Sequence, residues 1–132
     1  MSVSANLRDA LRAAPAINAI VDQRVYRDER PQGSPLAAIV ILLVSDPRPL
    51  TFNGPQSVRS ARLQIDCLAD SRGAADALGE VVIGLVDGRA LSAVDTFESA
   101  RVLNVRNDRS RDTQATTFRT AIDLMVWHHP SI

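Results

Sequence analysis

The sequence predicts an α+β fold: a four-stranded, mainly antiparallel sheet made of two hairpins, with helices packed on one face, in the order α-α-β-β-α-β-β. Three observations carry that expectation. Residues 60–69 alternate strictly, with Ala61, Leu63, Ile65, Cys67 and Ala69 on one side and Arg62, Gln64 and Asp66 on the other. That two-residue period is the signature of a half-buried strand. Residues 70–87 then change period, because Ala74, Leu78, Val81, Val82 and Leu85 recur at helical spacing. Two further alternating segments, 97–107 and 116–128, flank a short polar tip and read as a second hairpin.

The remaining elements follow in chain order. Ser4 is a suitable N-cap for a first helix whose apolar face is Leu7, Ala10, Leu11 and Ala14. Pro15 ends that helix and suits the first turn of a second, short one striped by Ile17, Ile20 and Val21 and ending near Asp22. Val25 and Tyr26 form a brief extended piece, and 28–35 is a loop with two prolines and a glycine. The length and branched residues of the continuous apolar run 36–44 favour a central strand covered on both faces, with a helix the alternative that periodicity leaves open. Residues 46–57 hold Pro47, Pro49, Asn53-Gly54 and Pro55, so they form a long loop joining two strands of one hairpin. Asp70 or Ser71 can cap the central helix, and Gly88 stands where a left-handed C-terminal cap is wanted.

Composition narrows the function classes. The chain has 132 residues, 45% hydrophobic and 23% charged, which suits one ordinary soluble domain, 1–132. The apolar run 36–44 is too short to span a membrane, and the N-terminus lacks the basic-then-apolar order of a signal peptide. The lone Cys67 cannot form an internal disulfide, which fits a reducing cytoplasm. All 15 basic residues are arginine and they balance 15 acids. Zero net charge argues against bulk electrostatic capture of nucleic acid.

No motif for catalysis, a cofactor or a metal emerges. His128 and His129 are adjacent, so on a strand they point apart and cannot chelate one ion together; a solvated chain end explains them better. Cys67 sits on the apolar side of its strand, where a thiol is inert packing. Asp66 and Asp123 share polar faces with Arg62, Arg106 and Arg119, so cross-strand ion pairs account for these acids without an active site. Phosphate-binding glycine loops are absent, and so is lysine. Arg106, Arg109 and Arg111 form an arginine-bearing tip, but Asp108 and Asp112 interleave with them, and aromatics make up only 4% of the chain. The mixed face of Arg62, Gln64, Asp66, Arg119, Asp123, Met125 and Trp127 is the better lead. Arg, Met and Trp are enriched at protein interfaces, and a second subunit covering that sheet would explain them.

The chain also resembles the tail-completion, or tail-terminator, proteins of long-tailed bacteriophages, prophages and gene transfer agents. The resemblance runs through Leu7-Arg8, Ala10-Leu11, Pro15, Ala19-Ile20-Val21 and Arg24-Val25-Tyr26, then Pro31-Gln32-Gly33 and Pro35-Leu36. It continues in Ala61-Arg62-Leu63-Gln64-Ile65-Asp66, Ala75-Asp76-Ala77-Leu78, Phe118-Arg119, Asp123-Leu124 and Val126-Trp127-His128. Cys67-Leu68 and the aromatic-free strand 39–44 depart from the family pattern.

The resemblance implies a homo-hexameric ring in the assembled tail that caps the head-proximal end of the tail tube, with a monomer as the alternative state of the isolated chain. It further implies contact with the major tail tube protein and a head-completion or connector protein, no catalysis and no cofactor. Location would be the bacterial host cytoplasm during assembly and then the neck of the virion tail. Under this reading the mixed face is a subunit interface. The loop residues Arg48, Leu50, Phe52, Asn53 and Gln56 contact the tube or connector, and Arg106, Arg109 and Arg111 face a channel through which DNA passes as cargo. Another head–tail joining role, stopper or adaptor, and a small nucleic-acid-binding domain using the arginine tip are the alternatives.

Overall fold

The computed structural model describes residues 3–31, 33, 35–47, 50–51, 54–55, 59–87, 97–111 and 116–128. Helices α1 (Val3–Ala13) and α2 (Pro15–Val21) lead into strands β1 (Val25–Arg27) and β2 (Ala38–Ser45). A small ribbon of β3 (Leu50–Thr51) and β4 (Gly54–Pro55) precedes β5 (Arg59–Ala69). Helix α3 (Arg72–Val86) follows, and β6 (Phe97–Arg111) and β7 (Thr116–His128) close the fold.

The class is α+β as the sequence implies, but the main sheet has five strands in the order β1-β2-β5-β7-β6. The fifth is β1, which pairs in parallel with Ile39–Ile41 of β2; the other pairings are antiparallel. Three residues cannot show a period, so only the backbone pairing makes β1 a strand. Side chains hold it in place: the Arg12 guanidinium donates to the Val25 carbonyl at 2.7 Å, and Arg24 Nε donates to the Ala37 carbonyl at 2.8 Å.

The core lies between the helices and one face of this sheet. Leu7, Leu11, Ile17, Val21, Leu78, Val82 and Val86 pack on Ile39, Ile41, Leu63, Ile65, Cys67, Ile122, Leu124 and Val126, all buried. Ser4 lies inside α1 rather than capping it; it is buried and its hydroxyl accepts from Arg27 at 3.3 Å. The apolar run is covered on both faces only at its start. Ala38 to Ile41 are buried, whereas Leu43 and Val44, beyond the cover of the helices, are 45% and 59% exposed.

Helix α3 is rotated relative to the sequence reading. Its buried stripe is Ala75, Leu78, Gly79, Val82 and Val86, while Ala74 is exposed and Val81 and Leu85 are half-buried. The reason is a close approach to β7: a Cβ at Gly79 would stand 2.9 Å from Thr120 Cγ2. Ser71 is the N-cap, accepting from the Ala74 N–H at 3.2 Å. Asp87 is the C-cap, and Gly88 lies outside the described residues.

Strand β6 also differs from expectation. It continues through Arg111, absorbing most of the anticipated tip, and it carries a register shift between Val102 and Asn104. The extra residue at Leu103 changes which face each later side chain occupies.

The two glycines of α3 give opposite predictions. Gly79→Val forces a branched side chain into Thr120 and should destabilise the fold by about 1–3 kcal/mol. Gly84→Ala, where an added Cβ meets nothing within 4 Å, should stabilise by about 0.5–1 kcal/mol. Urea unfolding of both variants checks this; shifts of the same sign would contradict the packing.

Candidate interaction face

The face opposite the helices is built by register. Residues directly opposite one another across a ladder share a face, so the pairings define rows across β5, β7 and β6. One row is Arg62–Met125–Arg101, the next Gln64–Asp123–Asn104, then Asp66–Ala121–Arg106 and Leu68–Arg119–Asp108; Ser60–Trp127–Ser99 lies beyond the first. All seven residues expected at an interface, Arg62, Gln64, Asp66, Arg119, Asp123, Met125 and Trp127, therefore stand on one face. Trp127 and Met125 are half-buried.

A connected polar network runs over this face. Arg119 bonds Asp108 through Nε at 2.8 Å and through Nη2, and its Nη1 reaches Asp66 Oδ2 at 3.4 Å. The Gln64 amide donates to Asp66 Oδ1 at 2.8 Å, and Arg106 Nη2 donates to Gln64 Oε1 at 3.0 Å and Asp123 Oδ1 at 3.1 Å. Asp66 is buried by the long side chains laid over it. The hydrogen bond from Arg119 holds the Asp108 carboxyl below its ordinary range, and the same bond raises the Arg119 pKa.

Arg106 and Arg119 thus make the ion pairs the sequence suggested for Asp123 and Asp66. Arg62 does not: it is exposed and has no ion pair among the described residues, and the same is true of Arg101 in its row. A recess of about 390 Å³ lies beside Arg62, lined by Val44, Gln64, Asn104, Arg106 and Asp123.

The three tip arginines are not brought together. Arg106 pairs opposite Ala121 and points to the open face, while Arg109 and Arg111, opposite Phe118 and Thr116, are on the helix side. Of the loop residues, Leu50 lies in β3; Arg48, Phe52, Asn53 and Gln56 lie outside the described residues.

Four residues that the sequence reading missed matter here. Arg101 was hidden because an unbroken alternation puts it on the face opposite Arg106, and the bulge at Leu103 restores it to the same one. Asp108 looked like part of a solvated tip but clamps Arg119. Arg72, at the first turn of α3, donates to Asp76 at 3.1 Å, to the Asp108 and Arg119 carbonyls at 3.0 and 2.9 Å, and to Thr120 Oγ1 at 2.6 Å. Its guanidinium lies 5.9 Å from the Phe118 ring centroid. His128 is not a solvated end: it is buried, with Nε2 3.2 Å from Asp46 Oδ1, tying the end of β7 to the segment after β2. His129 lies outside the described residues.

The cysteine is set in the core rather than poised to react. Burial, and then the charge of Asp66, pushes the Cys67 thiol up to about 12, leaving almost no thiolate at neutral pH. Among the described residues, no group of three or more His, Cys, Asp or Glu could hold a metal ion, and no helix is long and apolar enough to cross a membrane.

What the fold and this face define is an α+β domain with one sheet face sealed by helices and the other carrying an ordered set of charges. The family model described as tail completion protein gp17 matches residues 5–129. The chain belongs to that family, a family of structural proteins of phage tails. No curated protein sequence matches it significantly. Among solved structures, a chain from the virion of a native gene transfer agent (GTA) particle is similar, with a TM-score of 0.68 and 20% sequence identity, covering 98% of this chain and 96% of that one. At that identity the likeness is one of fold.

The network makes a prediction about stability. Arg119→Ala leaves the buried Asp66 carboxylate with Gln64 alone, and should cost roughly 1.5–3 kcal/mol at neutral pH. The exposed Asp108 pair adds little, about 1 kcal/mol or less. Because the Asp108 pKa is depressed in the folded state, its share is present above the ordinary carboxylate pKa and is lost as pH falls through the folded value. Denaturant titrations from neutral to acid pH should show a flatter decline for the variant than for the wild type. Parallel curves would contradict the role given to Arg119.

Proposed function

We propose that this tail completion protein is a tail terminator. One domain spanning the chain closes into a homo-hexameric ring on the head-proximal end of the tail tube, stops tube polymerisation, and presents a surface to the head-completion or connector protein. Family membership sets the class of role, and one observation carries the finer reading. The open sheet face holds Trp127 and Met125 beside two arginines that lack ion-pair partners among the described residues. Half-buried Trp and Met next to unneutralised arginine is the composition of an interface centre awaiting its partner. A ring of like subunits needs head-to-tail contacts that close by rotation, so in this reading the open face meets a different surface of the next copy.

In this reading the segment 46–57, which contains the β3–β4 ribbon, approaches the tube or connector, and Arg109 and Arg111 line the passage for DNA. Assembly takes place in the bacterial host cytoplasm, and the finished ring sits in the tail neck. The fold shared with a chain of a gene transfer agent virion supports a place in a particle of this kind.

Polymerising the major tail tube protein with increasing amounts of this chain tests the proposal by negative-stain electron microscopy. Tubes should shorten and carry a ring at one end, and Trp127→Ala or Arg62→Ala should lower capping at least tenfold. Tube lengths indifferent to the wild-type chain would refute the terminator role.

A further inference from the structure

The outer side of α3 has a composition that its own subunit does not explain. Gly73, Ala77, Glu80, Gly84 and Asp87 recur at helical spacing and are all exposed. No basic residue stands among them. Asp76, beside this stripe, is already paired with Arg72, but Glu80 has no ion pair among the described residues. Asp87 uses one carboxylate oxygen to accept the Val102 N–H at 2.9 Å, leaving the other free to accept. A glycine in mid-helix weakens the helix relative to alanine. At Gly84 none of the described residues requires it, since an added Cβ would meet none of them within 4 Å. An acidic stripe with a gap at its centre is therefore left facing outward.

The open sheet face carries the complementary pattern. Arg62 and Arg101 flank Met125 in one row, two strand spacings apart, about 9.6 Å. Glu80 and Asp87 are two helical turns apart, about 10.5 Å along the axis. The charges are opposite, the spacings agree, and the residue between each pair also matches: a half-buried thioether on the sheet and an absent side chain on the helix.

We infer that the Glu80–Gly84–Asp87 side of α3 in one copy docks across the Arg62–Met125–Arg101 row of the next copy, each carboxylate meeting a guanidinium and Met125 seated against Gly84. The two surfaces lie on opposite sides of the same sheet, so no copy can satisfy its own. The contact is head-to-tail and can close into a ring. This inference rests on the ring reading and names the surface that the open face receives.

A charge-swap experiment tests it by native mass spectrometry, with and without the tail tube protein. The double variants R62E/R101E and E80R/D87R should each fail to assemble alone. Mixed in equal amounts they should assemble again, because each variant's sheet face then fits the other's helix. Glu80→Arg and Gly84→Leu, which leave Asp87 intact, guard against misfolding. Glu80→Arg should keep the monomer's melting temperature and Gly84→Leu should keep or slightly raise it, while both weaken assembly at least tenfold. Unchanged assembly of these two single variants, or no recovery on mixing, would overturn the inference and leave the ring reading standing. A wild-type chain that stays monomeric under every condition would remove the ring reading itself, and this contact with it.

Discussion

The packing of α3 on β7 decides which face of the sheet is sealed. Gly79 lets the helix axis come close enough to touch Thr120, and Arg72 then fastens the helix start to Asp76, Thr120 and the backbone of the β6–β7 hairpin. With that helix and α1–α2 on one side, Ile65, Ile122 and Leu124 become core. The alternate residues of the same strands are left outward. Sheets of this kind show a clean division between an apolar inner face and a polar outer one. Here the outer face is not simply polar: it holds Trp127 and Met125 at one end and a carboxylate–guanidinium chain at the other.

That chain of contacts has a structural consequence of its own. Asp66 is buried although it lies on the open side, where Arg119 and Gln64 bond to it and Arg106 in turn bonds to Gln64. A face ordered in this way presents fixed charges rather than mobile side chains, so less side-chain freedom is lost when a partner covers it. Arg62 and Arg101 stand outside the network, and their charge remains available for an intermolecular contact. In the proposed assembly the two parts of the face divide the work between internal order and recognition.

Much of this was legible in the sequence, for reasons that can be assigned to particular residues. The strict alternation of 60–69 and 116–128 fixed both faces of β5 and β7, and the seven residues grouped from that alternation do share one face. Backbone events hid the rest. A bulge at Leu103 moved Arg101 onto the open face, a three-residue parallel pairing made β1 a strand, and the approach at Gly79 turned α3 by about one position. His128 was misjudged for another reason. Its partner Asp46 is remote in sequence, and no local pattern announces a pair brought together only by the closing of the sheet.

In the proposed assembly another copy of the chain covers the open face of the sheet. Trp127 is the chain's one tryptophan and stands on that face, which makes it a native reporter needing no label. Fluorescence emission and acrylamide quenching of Trp127 should be measured on the monomer and on the tube-bound assembly, using a tube protein whose own tryptophans have been replaced. Cover by another copy should give a blue-shifted emission and a severalfold drop in quenching on assembly. Identical emission and quenching in the two states would contradict it.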